Sequence, residues 1–225
     1  MEVVVIGPSG TGKSTWVGEM IKDVEREDHH VIILDDSLFY TKFLPNALVY
    51  EVTHNKQFPN GISYANYLLN DRSLKRISDL IIKSANLQRP LLFEVNDVQT
   101  AEAVQLIDII SAVILKNFKN ILLVIDEAFR LTPRYKGSKI LLQLLRSGRK
   151  RGINEIIIYQ QFADTDSTMI RQADYAVAFK PQGVSEIDNF IKTFGVDRSV
   201  VEQMGPHDHL SKNMRTGQIE IVHQE

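Results

Sequence analysis

The chain contains no cysteine. That excludes a disulfide framework, thiolate zinc sites and thiol nucleophiles together, and it suits a reducing compartment. No apolar run approaches the roughly eighteen residues a membrane-crossing helix needs, and residue 2 already enters an apolar strand pattern without a charged leader. Neither a membrane span nor a signal peptide is therefore expected. Excess charge of one sign is also missing: 26 basic against 28 acidic residues leave a net charge of −2. A protein coated in nucleic acid by bulk electrostatics is excluded, so any such contact must be local. Repeats and low-complexity tracts are absent, and nothing marks an internal boundary, so 1–225 is expected to be one α/β domain.

What the chain does have is a phosphate-loop pattern, Gly7-Pro8-Ser9-Gly10-Thr11-Gly12-Lys13-Ser14-Thr15, between an apolar run Glu2–Ile6 and a helical stretch from Lys13 to about Glu27. Strand, loop and helix in that order are the context the pattern requires. Glycines at 7, 10 and 12 let successive N–H groups turn inward around phosphates, and the helix dipole adds to the attraction. Lys13 is expected to reach the β and γ phosphates, and the Ser14 hydroxyl to ligate Mg²⁺. Thr15 is expected to pack or cap. The bound species is a nucleoside triphosphate.

A second run, Ile121-Leu122-Leu123-Val124-Ile125-Asp126-Glu127, is a strand buried on both faces that ends in two acids. Ligands gather at the carboxyl ends of such strands. Asp126 is expected to hold the Mg²⁺ through water, and Glu127 to orient and deprotonate the attacking water. Enzymes that hand phosphate to a small acceptor need no such glutamate, so the pair favours hydrolysis.

Further strands are expected at Val31–Leu34, ending in Asp35-Asp36, at Ala47–Thr53, Pro90–Val95, Glu155–Tyr159 and Tyr175–Lys180. Asp35 and Asp36 either face the γ phosphate and metal or cap the next turn. Helices are expected at Tyr64–Gln88 with a break near Asn70-Asp71, at Ala101–Lys116 with the stripe Val104, Ile107, Ile110 and Ile114, around Ile140, Leu141, Leu144 and Leu145, and at Ser185–Phe194. Ser37–Gly61 reads as irregular apart from its short strand, Phe129–Gly137 reads as a polar loop, and Thr216-Gly217 marks a terminal hairpin. Alternation of this kind specifies a parallel sheet flanked by helices. Gln160, at the tip of a strand, is placed to contact the γ phosphate or the attacking water.

The densest positive charge is Arg146-Ser147-Gly148-Arg149-Lys150-Arg151-Gly152. It is a solvated turn, a nucleic-acid contact or the source of an arginine finger acting on a neighbouring subunit. Lys42, Lys136, Lys180 and Arg198 are loop cations that either line a channel or lie in solvent. His207, His209 and His223 do not have the spacing of a metal site.

With these features in order, the chain resembles the FtsK–HerA superfamily of DNA-pumping ATPases. The stretch Gly148-Arg149-Lys150-Arg151-Gly152-Ile153 running through Tyr159-Gln160 is similar to that family's Arg-x-x-Gly-Ile turn and Thr-Gln strand end, with Tyr159 in place of the threonine. The resemblance implies a RecA-like P-loop fold of the ASCE type, ATP and Mg²⁺ as ligands, Arg149 as arginine finger and Gln160 as sensor. Lacking an N-terminal membrane region or barrel, the chain looks most like the genome-packaging ATPases of membrane-containing icosahedral viruses, archaeal ones included. That implies a pentameric or hexameric ring, double-stranded DNA bound without regard to sequence, a capsid or portal-site protein as partner, and a place in the host cytoplasm or on the virion or procapsid. The readings from a different class are a nucleoside or nucleotide kinase and a slow nucleotide-dependent switch. Transporter-type ATPases are set aside because their Leu-Ser-Gly-Gly-Gln signature is absent.

Overall fold

A computed structural model describes residues 1–25, 29–52, 71–95, 100–128, 138–165 and 167–223. The polar loop expected at Phe129–Gly137, Lys136 within it, the N-terminal part of the helix expected from Tyr64, and Thr53–Gly61 lie outside the described residues.

The strands are β1 (Glu2–Ile6), β2 (His30–Asp35), β3 (Leu48–Val52), β4 (Leu91–Val95), β5 (Ile121–Ile125), β6 (Ile153–Tyr159), β7 (Tyr175–Phe179), β8 (His209–Asn213) and β9 (Ile219–Val222). They form one sheet in the order β3-β4-β2-β5-β6-β1-β7-β8-β9. Neighbours are parallel from β3 to β7, and β8 and β9 complete the sheet antiparallel. The hairpin expected at Thr216-Gly217 is therefore present, and it extends the main sheet. Between Ser37 and the strand expected at Ala47–Thr53 the sequence reads as irregular, but the chain makes a 3-10 turn at Phe39–Lys42; the expected strand is present as β3 and pairs with β4.

The α-helices are α1 (Lys13–Glu25), α2 (Asp71–Asn86), α3 (Thr100–Asn117), α4 (Lys139–Ser147), α5 (Ser167–Gln172), α6 (Val184–Phe194) and α7 (Arg198–Gln203). Strand alternation sends Val3 and Val5 to one face and Val4 and Ile6 to the other, so each face has its own core. On the first face α1 contributes Val17, Ile21 and Val24. On the second, α3 lies between α2 and α4 and buries Leu106, Ile109 and Val113 as well as Ile107, Ile110 and Ile114. Its burial is wider than one stripe because it has neighbours on both sides as well as the sheet beneath. In α4, Leu141, Leu144 and Leu145 are buried but Ile140, in the first turn, is only half-buried. Ser138 caps this helix, accepting from the Leu141 N–H at 2.8 Å. No helix among the described residues is long and apolar enough to cross a membrane.

The basic turn enters β6 through Gly152, whose φ is +70°. A Cβ there would meet Asn120 Oδ1 at 2.3 Å. Gly152→Ala is therefore expected to destabilise the fold by about 1–3 kcal/mol, read as a lowered denaturant midpoint. An unchanged midpoint would contradict this.

Candidate active site

The carboxyl ends of β1, β2, β5 and β6 meet at the start of α1. Gly10 and Gly12 adopt φ of +78° and +96°, which residues with a Cβ avoid. Gly7 is required for a different reason, because a Cβ there would come within 2.7 Å of Phe179 Cβ on β7. The loop is thus pressed onto the adjacent strand. Thr11 Oγ1 donates to Pro8 O at 2.8 Å, and Lys13 Nζ donates to the same oxygen at 2.7 Å. Lys13 is 7% exposed. Burial pushes its pKa down, and the Asp126 and Glu127 carboxylates oppose that. An ammonium this buried, with the Pro8 carbonyl as its hydrogen-bond partner among the described residues, suits a loop that also receives phosphate oxygens.

Asp126 follows β5 directly, and its N–H extends the β2–β5 ladder by donating to Leu34 O at 2.9 Å. Its Oδ2 accepts from Ser14 Oγ at 3.2 Å, and its Oδ1 from the Glu127 N–H at 2.8 Å. Burial pushes the Asp126 pKa up, while the Tyr40, Glu127 and Ser14 donors and the Lys13 charge pull it back. Ser14 and Asp126 side by side, a hydroxyl and a carboxylate, are hard oxygen donors that fit Mg²⁺, which keeps most of its shell as water and phosphate.

Glu127 has φ +51°, a left-handed conformation unusual for a residue with a side chain. That turn brings its carboxylate to Gln160, whose Nε2 donates to Glu127 Oε1. Burial, more than any neighbour, raises the Glu127 pKa, and the Gln160 bond works against it. The two acids and the glutamine that the sequence singled out therefore converge. Of the two roles expected for Asp35, the turn cap is the one seen. Its Oδ1 accepts from Ser37 N and Oγ at 3.2 and 3.1 Å, and burial first, then the nearby Asp126 charge, push its pKa up.

Two contacts with the site have no counterpart in any motif. Tyr40, fully buried on the 3-10 turn, donates its hydroxyl to Asp126 Oδ2 at 2.8 Å. On the other side, His207 Nδ1 donates to Thr11 O at 3.2 Å. His209 packs between Trp16 and Phe179, and His223 bonds Asp208, so the three histidines serve three separate contacts. A cleft of about 390 Å³ opens beside the loop, lined by Pro8, Ser9, Gln160, Gln161, Gln182 and Glu186 among others.

Arg149 stands apart. It lies at the opposite, amino-terminal end of the sheet, with Nε and Nη2 donating to the two Glu2 carboxylate oxygens at 3.2 and 2.8 Å. Its Nη2 also lies 3.3 Å from Asp174, which Arg215 contacts at 2.6 Å. Arg149 thus does not reach the phosphate loop of its own chain. Among the other cations, Lys42 lies over the Phe39 ring at 3.5 Å, Lys180 donates to Met204 O, and Arg198, which opens α7, pairs with Asp188 at 2.7 Å.

A family model described as an AAA-like domain matches residues 80–220. No curated protein matches the chain. Among solved structures it is similar to the genome packaging NTPase B204 of Sulfolobus turreted icosahedral virus 2 in complex with AMPPCP, at 20% identity and a TM-score of 0.68, covering 99% of this chain and 96% of that one. VirB4 of Thermoanaerobacter pseudethanolicus is similar at 12% identity and a TM-score of 0.68, covering 100% of this chain and 89% of that one. The bacterial conjugative coupling protein TrwBdeltaN70 is similar at 12% identity and 0.66, covering 100% and 84%. These likenesses establish a P-loop NTPase fold.

Proposed function

Since the chain belongs to the AAA-like domain family, we propose that it is an ATPase that moves double-stranded DNA, built as a ring of identical subunits, with packaging of a viral genome as its task. The observation that carries this reading is the convergence of Lys13, Ser14, Asp126, Glu127 and Gln160 at one end of a parallel sheet. Gly7 to Thr15 cradle the triphosphate, with Lys13 reaching the β and γ phosphates. Ser14 and Asp126 would hold Mg²⁺, which when bound neutralises charge on the phosphate oxygens. Glu127 takes the proton of the attacking water, and Gln160 holds both that carboxylate and the γ phosphate end. These roles suit hydrolysis rather than transfer to a small acceptor.

Arg149 fits the finger position only as a contribution to a neighbouring subunit's site, which is one reason to propose a pentameric or hexameric ring. Likeness in fold to a genome packaging NTPase and to a conjugative coupling protein supports DNA as the translocated substrate. In this reading residues 1–225 act as one motor domain, a capsid or portal-site protein anchors the ring, and the setting is the host cytoplasm, the procapsid or the virion.

The test is steady-state ATP hydrolysis with and without long double-stranded DNA. DNA is expected to stimulate turnover, with apparent affinity falling by about 10³–10⁵ between 50 and 200 mM salt if each assembly neutralises 6–10 phosphates. Turnover indifferent to DNA at low salt, together with radiolabel transfer to a nucleoside or nucleotide, would replace the motor with a kinase.

A further inference from the structure

We propose that Tyr40 is a positioning residue for the Asp126 carboxylate, occupying Oδ2 so that a single acceptor direction, on Oδ1, remains for a metal-bound water. The inference rests on the nucleotide-site reading above. An ionised carboxylate offers about four lone-pair sites. Among the described residues, Oδ2 accepts from Tyr40 at 2.8 Å and Ser14 at 3.2 Å, and Oδ1 accepts from the Glu127 N–H at 2.8 Å. Three directions are filled and one is left. Ser14 spends only its proton on Asp126, so its oxygen lone pairs stay available to a cation.

Tyr40 is well built for this task. It is 0% exposed, packed in the same apolar cluster as Val17, Ile33 and Val124 and set edge-on to Phe39 at 5.5 Å, so its ring has little freedom. Burial and the neighbouring carboxylates keep its hydroxyl protonated, and it therefore acts as a donor. The turn that delivers it is entered through Leu38 at φ +54°, where Thr41 N and Oγ1 close onto Leu38 O at 3.1 and 2.7 Å. A left-handed leucine is costly and persists only where the surroundings impose it. A tyrosine that served packing alone would not need its hydroxyl on the acid of the second motif.

The test uses Tyr40→Phe, which keeps the ring and removes the donor. Mn²⁺ binding in the presence of a non-hydrolysable ATP analogue is followed by electron paramagnetic resonance, alongside the Mg²⁺ dependence of turnover and thermal unfolding without metal. The expected result is Mn²⁺ affinity weakened about tenfold, the lower bound for losing a group that orients a metal ligand. Half-saturating Mg²⁺ rises by a similar factor while kcat at saturating Mg²⁺ stays near that of the wild type. Wild-type binding with an equal affinity in Tyr40→Phe, whatever the unfolding temperature does, overturns the role of Tyr40. A wild type that binds no Mn²⁺ with the nucleotide overturns the site reading itself, and Tyr40 with it.

Discussion

Replacing Glu127 by glutamine will slow ATP turnover by about 10²–10⁴-fold, the range expected for loss of a general base, while nucleotide binding is retained. The two side chains have the same shape, so the contact to Gln160 and the left-handed backbone at φ +51° are preserved. What disappears is a group able to accept a proton. The pH profile supplies a second signature. Burial raises the Glu127 pKa above its ordinary value of 4.5, and the active, ionised form is lost as pH falls through that raised pKa. The wild-type acid limb should therefore lie above the usual glutamate range, and the residual activity of Glu127→Gln should lack it. Phosphate release measured across pH, with binding of a fluorescent ATP analogue as control, checks both parts. Turnover within a few-fold of the wild type would remove Glu127 from the chemistry and point to the slow-switch reading.

Arg149→Ala will unfold more readily than the wild type, by about 2 kcal/mol. Removing one partner of a buried ion pair costs about 3–5 kcal/mol, and screening reduces this because the Arg149 side chain is 38% exposed. For a chain of this size that corresponds to a fall of about 4–8 °C in Tm. The cost arises at Glu2, which is 1% exposed and whose pKa is already raised, chiefly by burial and against the pull of Arg149. Without the guanidinium that pKa rises further. An acid with a raised folded-state pKa destabilises the fold above that pKa, and the penalty fades as pH falls through it and the proton is taken up. The gap between variant and wild type should accordingly narrow on acidification and widen toward neutrality. A gap that is constant or grows at low pH would show that Glu2 is not its source. The same contact bears on any test of Arg149 as a finger. Lost activity alone is ambiguous, because misfolding and a missing trans contact look alike. Mixing separates them: wild-type subunits supply an arginine across an interface but cannot restabilise a neighbour's sheet.

Strands β1 and β5 occupy the residues that their apolar runs mark, because a strand buried on both faces leaves a continuous hydrophobic signature. Lys13, Ser14, Asp126, Glu127 and Gln160 were legible for a related reason: each sits at a fixed offset from such a strand. Tyr40 was not, since it lies in a segment without period and its partner is 86 residues away. The Arg149–Glu2 pair spans 147 residues and the His207–Thr11 contact 196. Distances of that kind are set by strand order, and the placement of β1 between β6 and β7 has no local trace in the chain. Helix faces were legible only in part. Ile140 and the wide burial of α3 depend on which helices stand alongside, a matter of packing rather than period.

The His207 contact gives the phosphate loop a mechanical connection to the far margin of the sheet. The segment between α7 and β8 is braced at both ends: Asp208 Oδ2 accepts from Gly205 N and contacts His223 Nδ1, both at 2.7 Å, while His207 bears on Thr11 O at 3.2 Å. Beyond His207 run the five residues of β8, which pair with β7 from His209 opposite Phe179 to Asn213 opposite Tyr175. The phosphate loop, set by β1 near the start of the chain, is thereby also moored to a residue 196 positions further on, at the antiparallel margin of the sheet.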